Sequence, residues 1–451
     1  MSSAEGSNRR ALTIWGIAAT VYFLAVFHRT SFGVAGLEAQ ERFGVGAAAL
    51  GSFTVLQVGV YAAMQIPTGI LVDRFGPRKI ITLAATLLGI GQLLFAIADS
   101  YPLGLLARGV LGLGDAMTFV SVLRLVAAHF SARRYPVLMS VTGALGFVGN
   151  LVATAPLAAL LAGPGWTAVF VVAGAVTTGF AMVVALRLRD RPAGVPPTPV
   201  ERISPGSILR QLRQAWRIPG TRLGFWVHFA TMFGPNVLTL VWGVPYLVRA
   251  QGMDAQAASG MLIVFVFGSM LGGPILGTAI GRRPGLRVPL VSLYLSGALV
   301  AWAVLLSWPG TLPTAALAVL FAFLSLGGPV SMIGFALAKD YNPVRRVGLA
   351  SGVVNSGGFL ATTVTTLLVG VLVQLTGPLG APAGFRIALL SVVVALLFGS
   401  WRVAVWWRRC RAVVLAAQER GELVPVQLRR RRWDSEATPV PATRERVAAS
   451  G

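Results

Sequence analysis

Apolar runs long enough to cross a lipid bilayer recur along almost the whole of this 451-residue chain. A spanning helix needs about 20 mainly apolar residues. Twelve such runs lie near residues 11–35, 47–71, 80–98, 102–126, 136–162, 166–187, 222–248, 256–280, 288–308, 312–338, 347–376 and 385–407. In lipid every backbone N–H and C=O must be satisfied within the protein, which leaves only helices or a closed barrel. Barrel strands are short and alternate in polarity; these runs are long, continuous and rich in Gly and Pro. Charge agrees, since 12% of the residues are charged against roughly 25% in a soluble domain. An all-α membrane protein of twelve transmembrane helices is expected.

The longest stretch without a span, 188–221, divides the chain into two six-span halves. Four units follow: an N-terminal bundle 1–187, a linker 188–221, a C-terminal bundle 222–407 and a basic tail 408–451. The linker is Pro-rich at first (Pro192, Pro196, Pro197, Pro199). Its second part, Ile208 to Arg217, is patterned as a basic amphipathic helix suited to a membrane surface. The first run is long enough to span and reads as an uncleaved signal-anchor.

The net charge is +23, nearly all from Arg, with Lys79 and Lys339 the only lysines. Such a balance could suggest nucleic acid, but here the basic residues sit between spans. One set of connections carries Arg9, Arg10, Arg74, Arg78, Lys79, Arg133, Arg134, Arg282, Arg283, Arg287, Arg345 and Arg346, together with the linker and tail. The alternate set carries only Arg42, Arg249 and Arg386. By the positive-inside rule both termini are cytoplasmic, in a bacterial inner membrane. The tail, with Arg429 to Arg432 and Trp433, is expected on anionic lipid. Cys410 is the single cysteine, so no intramolecular disulfide or multi-Cys metal site can form. No metal, cofactor or nucleic-acid partner is expected.

The halves repeat weakly at an offset of 208 residues. The stretch Gly69 to Lys79 after span two falls on Gly277 to Arg287 after span eight, and Gly143 to Asn150 in span five falls on Ser351 to Gly358 in span eleven. Weak repeats with equal span counts mark two-lobed transporters whose site lies at the repeat interface.

The segment Gly69-Ile-Leu-Val-Asp73-Arg74-Phe75-Gly76-Pro77-Arg78-Lys79 resembles the loop signature between helices two and three of the major facilitator superfamily. Arg108-x-x-x-Gly112-x-Gly114-x-Ala116 in span four, and Gly143, Gly146 and Gly149 in span five, are similar to further motifs of that superfamily. The resemblance implies two pseudo-symmetric six-helix bundles, alternating access and a monomer. It also implies that Gly69, Asp73, Arg74, Gly76 and Arg78 form a conformational gate, in which Asp73 and Arg74 pair with neighbouring helix ends. The plainer alternative is a basic turn with Asp73 capping the next helix. In the second-half copy Gly281 stands where the acid should be, so that gate is expected to be asymmetric. The stretch Tyr22 to Arg29 resembles helix one of organophosphate antiporters, and Asn150 with Asn355-Ser-Gly-Gly resembles nitrate/nitrite porters. Arginines that those families use elsewhere are absent here.

Charges within spans are costly and usually face a cavity or each other. His28 and Arg29 lie in span one, and Arg108, Asp115 and Arg124 in span four; Asp115 is the only acid well inside any span. Arg108 and Asp115 are seven apart and share a helix face. Two readings compete. In one, Arg29 and Arg108 bind an anion while Asp115 is counter-ion or proton carrier. In the other, Arg108 and Asp115 form a permanent bridge. Tyr22, Gln57, Tyr61, Asn150, His228, Asn236, Trp242 and Asn355 are further cavity candidates. Gly234-Pro235-Asn236 and Gly327-Gly328-Pro329 should break spans seven and ten.

These features point to a secondary active transporter of a small anionic solute, with proton or exchange coupling. No Gly-x-x-x-x-Gly-Lys-Ser/Thr loop is present for ATP. Proton-driven efflux of a drug-like compound and a non-transporting receptor on the same fold are the alternatives. No His/Asp/Glu or Ser–His arrangement in the spans suggests an enzyme.

Overall fold

The computed structural model describes residues 2–45, 47–192, 205–422, 424, 426–430 and 434. Pro196, Pro197 and Pro199 of the linker, and Arg431, Arg432 and Trp433, lie outside them. Among the described residues the chain is helical with no strand, and twelve helices are long and apolar enough to span. In order they are Asn8–Gly33, Ser52–Phe75, Pro77–Ile97, Tyr101–His129, Tyr135–Val152, Gly165–Arg187, Pro219–Arg249, Gln256–Arg282, Pro284–Ser307, Thr314–Tyr341, Val344–Leu375 and Ala381–Glu419. With twelve crossings, residues 8 and 419 share one end of the bundle. That end carries the Arg-rich connections and is called the basic end below.

Several spans are interrupted where the sequence weakens a helix. Pro235 has no N–H to give, and span seven passes into a π-helical turn, Leu238–Trp242, three residues later. Span ten breaks at Leu326, immediately before Gly327-Gly328-Pro329. Span four breaks at Met117, between helices Tyr101–Ala116 and Thr118–His129, which places Asp115 at the end of a helical segment. The two breaks fall at nearly equivalent points of the repeat, although span four has no proline there.

Each half builds its own core. One apolar cluster lies wholly within residues 223–410 and another within 32–170. A third joins residues of spans one and three to six to Phe335, Ala336, Ala338, Val347, Ala350 and Val354, and so seams the two lobes together. The lobes meet through spans two and eleven and through spans five and eight, at the basic-end half of each. These contacts obey the repeat. A Cβ on Gly69 would lie 2.7 Å from Leu349 Cα, and one on Gly277 would lie 2.8 Å from the Pro136 carbonyl. Any side chain at either position would force the lobes apart.

Two further segments take shape. The amphipathic helix forms, over Pro205–Arg217, and its apolar face packs on the bundle. Ile208, Leu212, Ala215 and Trp216 pack on Ile70 of span two and on Phe225, Leu349 and Val353 of spans seven and eleven, bridging the lobes at their seam. The last helix runs on to Glu419, well past residue 407, and the described part of the tail folds back on it. Asp434 pairs with Arg411 at 2.5 Å, and Gln418 Oε1 accepts from the Leu428 N–H at 2.9 Å.

Candidate substrate-binding site

A cavity of about 270 Å³ lies between the lobes at mid-depth. Spans one, two, four and five line one wall, and spans seven, eight, ten and eleven the other. Arg29 is the only charged side chain in its lining among the described residues.

Arg29 makes a two-point contact with Asp115. Its Nε donates to Oδ2 and its Nη2 to Oδ1, both at 2.7 Å. The side chain of Asp115 is 0% exposed and that of Arg29 is 29% exposed, so the cation faces the cavity and the anion stands behind it. The guanidinium also lies 4.7 Å from the centre of the Tyr61 ring. Span four can hold a carboxylate at this depth because it is the most enclosed of the twelve spans.

Arg108, expected beside the substrate, is only 1% exposed and lies outside the lining. It makes no bridge to Asp115. Its Nη1 and Nη2 donate to the backbone carbonyls of His28 and Arg29, each at 3.2 Å, and its guanidinium stacks 4.9 Å from Phe32 and 5.4 Å from Phe95. Seven residues of helix rise about 10 Å, so Arg108 and Asp115 share a face but not a level. Arg29, arriving from span one, reaches the carboxylate instead. Arg108 is therefore a positioning residue that anchors the backbone bearing Arg29.

Of the other expected residues, Tyr22, Tyr61, Asn150, His228, Asn236 and Asn355 line the cavity. His28, Gln57 and Trp242 do not. His28 is fully buried and pairs with Thr177 at 2.8 Å behind span one. Gln57 is 1% exposed against span four. Trp242 donates to the Thr366 carbonyl at 3.0 Å, inside the C-terminal lobe. His28 and Gln57 each adjoin a cavity position, Arg29 and Val58, but a helix turns neighbours about 100° apart. Sequence reading missed Ser140, Thr239, Ser269 and Ser331, which line the cavity as short hydroxyls with no distinguishing pattern.

Below the cavity the lobes are joined by polar contacts. Asn355 Nδ2 donates to Gln65 Oε1 at 2.5 Å and to Tyr61 Oη at 3.4 Å. Phe119 of span four and Phe335 of span ten meet edge-on at 5.4 Å. Nearest the basic end, the Asp73 carboxylate accepts from the Gly348 N–H at 2.9 Å and the Leu349 N–H at 2.7 Å, capping the start of span eleven. The same carboxylate holds Arg124 at 2.9 Å. Arg74 lies over the Phe75 ring at 5.1 Å. Gly76 sits at φ 86°, where a Cβ would be 2.6 Å from the Asp190 carboxylate, and that carboxylate accepts from the Arg78 N–H at 2.6 Å. In the other half Gly281 packs its backbone on span five and brings no carboxylate, so the two seams are held by different contacts. No group of three or more His, Cys, Asp or Glu able to hold a metal occurs among the described residues.

Two six-helix lobes closing around a central cavity at their seam make this a membrane transporter rather than an enzyme. Residues 18–328 match the model of the Major Facilitator Superfamily, and the chain belongs to that family. It is 27% identical over 408 residues to a probable sulfoacetate transporter of Cupriavidus necator, covering 85% of this chain and 93% of that one. It is 26% identical over 378 residues to a probable galactarate/D-glucarate transporter of Escherichia coli, covering 77% and 84%. A D-galactonate transporter from another strain of that species is 24% identical over 425 residues, covering 88% and 96%. Among solved structures, the superfamily transporter FucP in the outward conformation shares the fold with a TM-score of 0.65 and 17% identity, covering 87% of this chain and 99% of that one.

Proposed function

We propose that this protein is a secondary transporter, in a bacterial inner membrane with its basic end cytoplasmic, that moves a small hydroxylated organic acid bearing one anionic group together with a proton. The observation that carries this reading is that, among the described residues, Arg29 alone brings charge to the cavity wall and is neutralised from behind by a buried Asp115. While the pair is intact the wall is neutral. A proton on Asp115 cancels the counter-charge and leaves the guanidinium to a substrate carboxylate or sulfonate, which Arg binds in two-point fashion. Anion and proton are then favoured together. The opposite wall offers Asn236, Ser269, Ser331 and Asn355, which suit hydroxyl groups. A cavity of about 270 Å³ is just below the usual range of about 300–1,000 Å³ for drug-sized ligands, which disfavours efflux of bulky compounds. The relatives' names, all for transporters of organic acids, support the class. A second acid group would find no second cation here, and burying an unpaired charge is costly.

Uptake into proteoliposomes under an inward proton gradient tests this. Galactonate (one carboxylate) should enter, galactarate (two) should enter poorly, and Arg29→Ala should abolish the flux. Flux of a lipophilic cation that is indifferent to Arg29→Ala would overturn the anion reading.

A further inference from the structure

At the basic end of the C-terminal lobe, spans seven and twelve pack antiparallel and carry the same pair of residue types at a spacing of one turn. Span seven has Arg222 and Trp226, and span twelve has Arg402 and Trp406. Because the helices run oppositely, each arginine meets the other helix's tryptophan. Arg222 lies 4.5 Å from the Trp406 ring, and Arg402, about a turn deeper, lies 4.9 Å from the Trp226 ring. Arg409 covers Trp406 as well, at 4.6 Å. Two guanidinium groups thus share one indole.

Like charges gathered in this way favour a bound anion; the Nε of Arg222 already donates to the Trp216 carbonyl. The charged groups that act on Arg222 are Arg409, Arg402 and Arg217, and no acid among the described residues offsets them. The described acids of the last helix and tail are used elsewhere: Glu419 holds Arg430, Glu422 holds Arg420 and Asp434 holds Arg411. Three donors of the cluster, Arg402 Nε, Trp226 Nε1 and Trp406 Nε1, are buried with no acceptor, and Trp406 is 5% exposed. A buried donor left without an acceptor is destabilising. Beside the cluster Trp401 and Phe398 turn outward, 56% and 44% exposed on the lipid-facing side of span twelve.

We infer that this cluster is a binding site for a phosphate ester, supplied by the headgroup of an anionic phospholipid. Guanidinium groups and indole N–H donors match phosphate oxygens, and the exposed aromatics beside them offer acyl chains an apolar track. A basic pocket between helices at the cytoplasmic surface is where such headgroups are held. The site is remote from the cavity and does not rest on the substrate reading.

Native mass spectrometry of the full-length protein in detergent, titrated with phosphatidylglycerol or phosphatidylcholine, tests the inference. Phosphatidylglycerol should be retained in preference. Arg222→Gln/Arg402→Gln should weaken it by about thirtyfold, at roughly fivefold per guanidinium, while phosphatidylcholine binding stays unchanged. If that variant does not fold, Arg217→Gln/Arg409→Gln replaces two exposed arginines and should show the same loss of preference. Equal retention of both lipids, or unchanged phosphatidylglycerol binding in a folded variant, overturns the site. Inorganic phosphate bound as tightly as the lipid would overturn the lipid source.

Discussion

Arg29 and Asp115 face each other across spans one and four with both carboxylate oxygens engaged at 2.7 Å and the carboxylate wholly shielded from the cavity. A charge pair of this kind is costly to break from one side only, about 3–5 kcal/mol, because the partner is left buried and unpaired. In the proposed cycle a proton takes the place of Arg29 on Asp115 and a substrate anion takes the place of Asp115 on Arg29, so that neither group is left unpaired.

Asp115→Asn fixes the neutral state. Arg29 is then permanently released, so substrate binding and substrate exchange across the membrane should persist. Concentrative uptake driven by a pH gradient should be lost. Counterflow measured beside gradient-driven uptake separates the two, and full gradient-driven accumulation in the variant would remove Asp115 from coupling.

Arg29→Lys keeps the charge but not the planar fork. Loss of one charge-assisted contact is worth about 1.5–3 kcal/mol, so the Kd for substrate should rise between about tenfold and a hundredfold. Binding calorimetry on the purified variant reads this directly.

Arg108→Lys should act through stability and position. A lysine cannot span the carbonyls of His28 and Arg29 as the guanidinium does. A loss of about 1–3 kcal/mol is expected, seen as a lowered Tm, with a raised KM and an unaltered dependence on the pH gradient. A direct substrate role would instead remove transport at unchanged Tm.

Asp73→Ala removes the cap from span eleven and the partner from Arg124, so the basic end should open more often. Ser351 is fully buried at this seam and the native Cys410 is also fully buried. In a Ser351→Cys background, labelling by a membrane-impermeant maleimide applied from the basic side should accelerate several-fold on adding Asp73→Ala. An unchanged labelling rate would mean that the cap does not control closure.

Much of the fold was legible because lipid imposes strong rules. Span count followed from length and hydropathy, and the two-lobed plan from the repeat. Asp73 and the glycines about it were legible through their motif. Their partners were not: the amides that Asp73 caps belong to Gly348 and Leu349 in the other half of the chain. The site was only partly legible. Tyr22, Arg29, Tyr61 and Asn355 were found as polar residues in apolar runs, but the same rule selected His28, Gln57 and Trp242, whose partners lie inside a lobe.

By itself the sequence determined that the chain must cross a membrane as helices, how often, and which acid would be the costly one to bury. Those outcomes depend on hydrophobicity and backbone hydrogen bonding, which are local or additive along the chain. Only the tertiary structure decided that Asp115 answers Arg29 and not Arg108, that the linker helix clasps the two lobes, and that the described part of the tail folds back on the last helix. Each depends on which helix stands beside which and at what level, and on partners far apart in the chain meeting within about 3 Å.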